Sequence, residues 1–197
     1  MAQLKMYWLK GTPVQELSLP GGYSFSHYKS LSDKTAWVEC CKNGLVADDA
    51  DEGAFDNRIL GKEDCSPETD VFFLDFGGEH IGTATAVFHP ERRCGELHMV
   101  GIRSDFRGRG LVKYLNAAAV KKLAAQGVDY IFLTTDEWRA SAVKSYFTAG
   151  FVPVEYDEGM KERWEFMLSE LKIDGADMVN EDASFCRRLS PSADKNA

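Results

Sequence analysis

Apolar residues along this chain fall into short runs, and two of those runs flank a pair of glycines. Residues 70–77 (DVFFLDFG) predict a strand ending at Gly77-Gly78, and 80–88 (HIGTATAVF) predict its partner. Two apolar segments around a two-residue glycine turn are the local signature of a hairpin. A turn from Pro90 to Gly95 leads into a third strand over 96–102 (ELHMVGI). Leu111, Tyr114, Leu115, Ala118, Ala119 and Leu123 then recur at helical spacing, which predicts a helix over 111–126 stopped by Gly127. Residues 128–134 predict a central strand, and 138–148 a helix with Ala142, Val143, Tyr146 and Phe147 as its apolar positions. FVPVEY and RWEFML (163–168) predict two further strands. Upstream, 3–9 reads as an edge strand and YSFSHYK as a second extended segment. Residues 33–44 read as a helix, with Asp33 as its cap and Ala36, Trp37, Cys40 and Cys41 on one face. The order is mixed α/β, with no repeat and no dividing linker. Residues 1–170 form one expected domain, best supported over 70–168, and 171–197 a polar, partly disordered C-terminal tail.

Composition narrows the function classes. A chain of 197 residues with 44% hydrophobic positions can bury a core without crosslinks. Its net charge of −8 opposes binding to nucleic acid. Five cysteines, at 40, 41, 65, 94 and 186, form no CxxC pair, which reads as reduced thiols in a cytoplasmic protein. No apolar stretch reaches membrane-spanning length, so no membrane partner is expected. His27, His80 and His89 are scattered without zinc-ligand spacing, and no metal is expected. The acids between 48 and 56 read as a solvated helix start, with a cation-binding surface as the alternative.

The strongest chemical signal is IRSDFRGRGLVKYL (102–115), where a strand ends, arginines bracket glycines and a long helix begins. Gly108 and Gly110 let backbone N–H groups converge before the first helical turn, and such a nest at a positive helix end favours a phosphate. Arg107 and Arg109 would add charge-assisted bonds. The segment lacks both GxxxxGK[ST] and GxGxxG. Spacing alone leaves a second reading open, a tight strand-to-helix turn with two solvent-facing arginines.

At these residues the sequence resembles the GCN5-related N-acetyltransferase (GNAT) superfamily. Its Arg/Gln-x-x-Gly-x-Gly/Ala element is matched by Arg107, Gly110 and Val112, with valine in place of the usual glycine or alanine. The stretch YIFLTTDEWRASAVKSYFTAGFVPV (130–154) resembles the strand, helix and strand that follow in that family, although the usual asparagine is replaced by DEWR. The resemblance implies a single-domain acyl-CoA N-acyltransferase fold, with a mixed, largely antiparallel sheet opened near 99–102 and flanked by helices on both faces. It implies acetyl-CoA as acyl donor, with its pantetheine arm along Met99, Val100, Gly101 and Ile102. The pyrophosphate would lie over Arg107, Gly108, Arg109, Gly110, Leu111 and Val112. The acceptor, an amine-bearing small molecule or peptide, would approach from the side shaped by residues 20–60.

An alkylammonium must lose a proton before it attacks a thioester, and the departing thiolate must gain one. The resemblance places Tyr146 as general acid; helical spacing alone leaves it an ordinary buried tyrosine. Glu96 and His98 lie two apart on one strand face, which Val100 continues unless a bulge intervenes. His98 has the better unperturbed pKa for a base and Glu96 would orient it or act through water, while a satisfied structural histidine is the other reading. Asp136 and Glu137 are candidates to recognise a cationic amine or to cap the next helix. Transfer is expected to be direct, without an acyl-enzyme. A non-catalytic acyl-CoA-binding regulator and a structural interaction protein are the competing classes. Fold analogy alone leaves a homodimer through the final sheet edge open.

Overall fold

A computed structural model describes residues 2–192. In chain order its strands are β1 (Leu4–Leu9), β2 (Tyr23–His27), β3 (Val71–Phe76), β4 (Glu79–His89), β5 (Cys94–Ile102), β6 (Tyr130–Thr135), β7 (Val152–Glu155), β8 (Ala176–Asn180) and β9 (Phe185–Leu189). The helices are α1 (Ser32–Cys41), α2 (Gly53–Phe55), α3 (Pro67–Asp70), α4 (Val112–Ala124), α5 (Ala140–Thr148) and α6 (Met160–Leu171). A π-helical turn, Asp56–Leu60, continues α2. The chain divides into two compact units, Val14–Val128 and the segments on either side of it.

In the Val14–Val128 unit, β2, β3, β4 and β5 pair antiparallel in that order. Gly77 and Gly78 turn the β3–β4 hairpin, both with positive φ (62° and 87°), the backbone that a two-residue hairpin turn demands. The two faces of this sheet are told apart by its glycines. A Cβ at Gly101 would fall 2.5 Å from the Cys40 carbonyl oxygen, so α1 lies directly against that face. A Cβ at the neighbouring Gly82 would meet Leu115, and one at Gly95 would meet Leu123, so α4 covers the other face. Under α1, Tyr28, Trp37, Val38, Cys41, Phe55, Ile59, Val71 and Phe73 form one buried cluster. The mixed α/β architecture with helices on both sheet faces is thus present within this unit.

In the other unit β1 pairs antiparallel with both β6 and β7, β7 runs parallel to β8, and β8 pairs antiparallel with β9. Three expectations change here. The first strand is interior to its sheet, because its residues Leu4, Met6, Tyr7 and Trp8 are all buried between two neighbours. Residues 163–168 form part of α6 instead of a strand. Met160, Trp164, Met167, Leu168 and Leu171 are its buried positions, and that spacing is helical. From 171 onward the chain is a paired β8–β9 hairpin where a polar tail is expected, with Met178, Val179 and Leu189 buried. Residues 193–197 of that expected tail lie outside the described residues.

Candidate functional site

β5 does not run regularly. Its register with β4 shifts between Thr83 and Thr85, and Met99 carries a φ of 48°. An inserted residue of this kind bends a strand and resets its side-chain alternation. Glu96 and His98 therefore share one face, as their spacing predicts, but Val100 does not continue it. Met99 packs into the cluster under α1, and Gly101 faces Cys40.

Past Ile102 the chain makes a 3₁₀ turn over Ser104–Phe106 and then the glycine segment. Gly108 and Gly110 have positive φ (75° and 69°), and a Cβ at either would touch nothing within 4 Å. Their requirement is conformational: a left-handed backbone that turns successive N–H groups toward one side. α4 then begins at Val112 with Leu111 as an N-cap that makes no side-chain hydrogen bond. Among the described residues, the N–H groups of 108–113 donate to no backbone carbonyl. The unpaired donors and the positive end of a 13-residue helix form a cradle for an anion.

The arginines of this segment are engaged with the loop itself. Arg107 donates from Nε to the Ile102 carbonyl (2.9 Å), from Nη1 to that of Asn43 (3.1 Å) and from Nη2 to that of Lys42 (2.8 Å). Arg109 donates to the Asp105 carbonyl (3.0 Å) and lies over the Phe106 ring. Arg103 pairs with Glu79 and Asp105 (2.9 and 2.8 Å) and also contacts the Phe106 ring. All three guanidinium groups make contacts that fold the loop, and the backbone amides of 108–113 stand beside them without a carbonyl partner.

At the other end of β5, Glu96 is held by Lys62 (2.8 Å) and by His89 Nε2 (3.1 Å), whose Nδ1 meets Asp64 (2.8 Å). His98 Nε2–H donates to the Arg58 carbonyl at 3.2 Å. A carbonyl can only accept, so the other nitrogen, 3.5 Å from Glu96, carries the lone pair. Burial, aided by the charge of Lys62, pushes the His98 imidazole down to about 4. Lys62, His89, Asp64 and Arg58 come from sequence positions that gave no signal of a partnership with β5.

Tyr146 is buried on α5 against Phe151, and burial pushes its phenol up to about 12, so it holds its proton across the working pH range. Asp136 accepts from Gln3 (3.0 Å) and Arg139 (2.6 Å), and Glu137 pairs with Arg163. Neither caps α5, whose N-cap is Arg139. Among the thiols, burial raises Cys40 to about 12, Cys65 to about 11, and Cys41 well above its usual range. Among the described residues, no group of three or more His, Cys, Asp or Glu side chains is arranged to hold a metal, and no helix is long and apolar enough to cross a membrane.

Comparison with known proteins gives a consistent result. Residues 33–151 match the acetyltransferase (GNAT) family. A mycothiol acetyltransferase from Streptomyces coelicolor is 32% identical over 152 residues, which are 76% of this chain and 49% of that protein. The chain thus spans about half the length of the curated relatives it matches. Among solved structures, a GCN5-related N-acetyltransferase from Sphaerobacter thermophilus aligns with a TM-score of 0.60 at 17% identity, over 78% of this chain and 49% of that one. The ribosomal-protein-S18-alanine N-acetyltransferase from Escherichia coli aligns with a TM-score of 0.53 at 16% identity, over 89% and 98% of the two chains.

Proposed function

Because the chain belongs to the acetyltransferase (GNAT) family, we propose that it transfers an acetyl group from acetyl-CoA to a primary amine of a small molecule or peptide. The observation that carries this reading is the row of unpaired amides at 108–113 beside the bulged end of β5. That cradle fits a pyrophosphate, whose oxygens accept from N–H groups and whose charge suits the helix end. Met99, Val100, Gly101 and Ile102 would hold the pantetheine arm, and the amides of Gly108, Arg109, Gly110, Leu111 and Val112 the pyrophosphate. Acetyl-CoA supplies an activated thioester, so the chain's task is to position it and to move protons.

Tyr146 is the proposed proton donor, since a phenol that stays protonated at neutral pH can give a proton to a departing thiolate. For the amine's proton, Glu96 and His98 are the proposed acceptors, directly or through water; an imidazole titrating near 4 is no stronger a base than an ordinary carboxylate, so its pKa does not choose between them. Direct attack is favoured over an acyl-enzyme, because Cys40, Cys41 and Cys65 are held as thiols and only thiolates are good nucleophiles.

Titration calorimetry with acetyl-CoA, compared with dephospho-CoA, tests the donor site. Saturable one-site binding is expected, followed by amine-dependent thiol release in a screen of alkyl amines and peptide N-termini. No binding by folded protein would leave 107–112 a structural turn. In an amine that turns over, Tyr146→Phe should lower kcat by roughly 10–100-fold while leaving coenzyme affinity nearly unchanged. Equal rates for both proteins would remove Tyr146 from the chemistry.

A further inference from the structure

The last turn of α1 and the coenzyme loop are joined at three places. Gly101 meets Cys40 with no room for a Cβ. Asn43 Nδ2 donates to Ser104 Oγ at 2.8 Å. Arg107, the largest link, clasps the carbonyls of Lys42 and Asn43 with one edge of its fork and that of Ile102 with its Nε. The carbonyls of Lys42 and Asn43 belong to the residues just past Cys41, where the chain has left the helix, and a cation there stands near the negative end of α1. Asn43 itself sits in a left-handed conformation (φ 58°), with its N–H held by Asp48 Oδ1 at 3.0 Å. The same few atoms therefore fix where α1 ends, where β5 ends and where the amide cradle begins.

We infer that Arg107 is a positioning residue that couples the amide cradle at 108–113 to the C-terminal turn of α1, so that filling the cradle tightens residues 42–46. The inference rests on the acetyl-CoA reading and deepens it. On that reading residues 20–60 flank the acceptor, and the clasp makes the acceptor side respond to whether the donor is bound. Three fixed donors on a planar fork are needed to span three carbonyls, and lysine offers a point charge instead. A phosphate contact would need only the charge.

The test is hydrogen exchange and calorimetry on the full chain with coenzyme A as the probe. In the wild type, coenzyme A should slow exchange at 108–113 and also at 42–46, where the amides of Leu45 and Val46 both donate to the Cys41 carbonyl. Arg107→Ala and Arg107→Lys should each weaken coenzyme A binding by about tenfold or more and abolish the response at 42–46. The affinity ratio to wild type should be the same at low and high salt, because no ligand charge is being met. Ser104→Ala removes only the Asn43–Ser104 link and guards against loss of folding. It should weaken binding by about two- to threefold and blunt the response at 42–46. Wild-type affinity in Arg107→Lys would overturn the inference, as would a ratio that shrinks with salt. Protection at 108–113 with no change at 42–46 in the wild type would overturn it while leaving the donor reading intact. Absence of binding and of protection at both segments would sink the donor reading and the coupling together.

Discussion

The two ends of β5 carry charged residues that look alike in sequence and are used in opposite ways. At 102–112 Arg107 and Arg109 donate to backbone carbonyls and Arg103 to carboxylates, while the backbone amides of 108–113 have no carbonyl partner. At 96–98 the backbone is an ordinary ladder, and the side chains converge: Glu96 gathers Lys62 and His89, while His98, kept neutral by burial, donates to the Arg58 carbonyl. A charged residue near a site is informative only once its existing partners are known. On the acetyl-CoA reading the first end would work through conformation and the second through side-chain identity.

Substitutions should separate the two ends. The largest effect is expected from Gly101→Ala, which forces a methyl to within 2.5 Å of the Cys40 carbonyl. Backbone must move, and chemical denaturation should show a loss of about 2–3 kcal/mol along with weakened coenzyme binding. A loss below about 0.5 kcal/mol would mean that α1 is not seated on β5 as described. Next comes Glu96→Gln, which leaves Lys62 and His89 facing a neutral amide. A loss of about 2 kcal/mol is expected, with little change in coenzyme affinity. If coenzyme affinity falls as much as stability, the two ends are not separable. Gly110→Ala should do the reverse. Its left-handed φ costs alanine about 1 kcal/mol with no clash, while coenzyme affinity drops several-fold as the amides turn away.

The smallest effect at neutral pH is expected from His98→Gln, and its signature is the pH dependence. The folded imidazole titrates near 4 against about 6.5 when unfolded, so between those values the unfolded chain binds more protons. Wild-type stability should therefore fall as pH drops from about 6.5 toward 4, by at most about 3 kcal/mol from this group. The glutamine variant should lose less over the same window. Parallel curves would show that His98 is not buried in its neutral form.

Much of this molecule is legible in its sequence. The glycine pair at 77–78 announced its hairpin, and Gly127 stopped α4 near the predicted residue, because both signals are local. The strand expected at 163–168 is instead part of α6, because Trp164, Met167, Leu168 and Leu171 have the spacing of a buried helical face that extends beyond the six residues read as a strand. β8 and β9 are not among the expected strands because charged residues interrupt their apolar positions, Asp177 in one and Arg187 and Arg188 in the other, and their order comes from pairing. At the site, the need for glycine at 108 and 110 was visible. The carbonyl partners of Arg107 were not, since two of the three lie more than 60 residues away and no backbone acceptor has a sequence signature.

The buried thiol at Cys40 gives α1 a property of its own. Its sulfur lies in the helix that rests on Gly101, fully shielded and held protonated. An alkylating reagent can reach it only when the helix lifts from the sheet. The rate at which Cys40 itself is labelled, read apart from the partly exposed Cys65 and Cys186, is then a clock for that lifting, readable without a substrate.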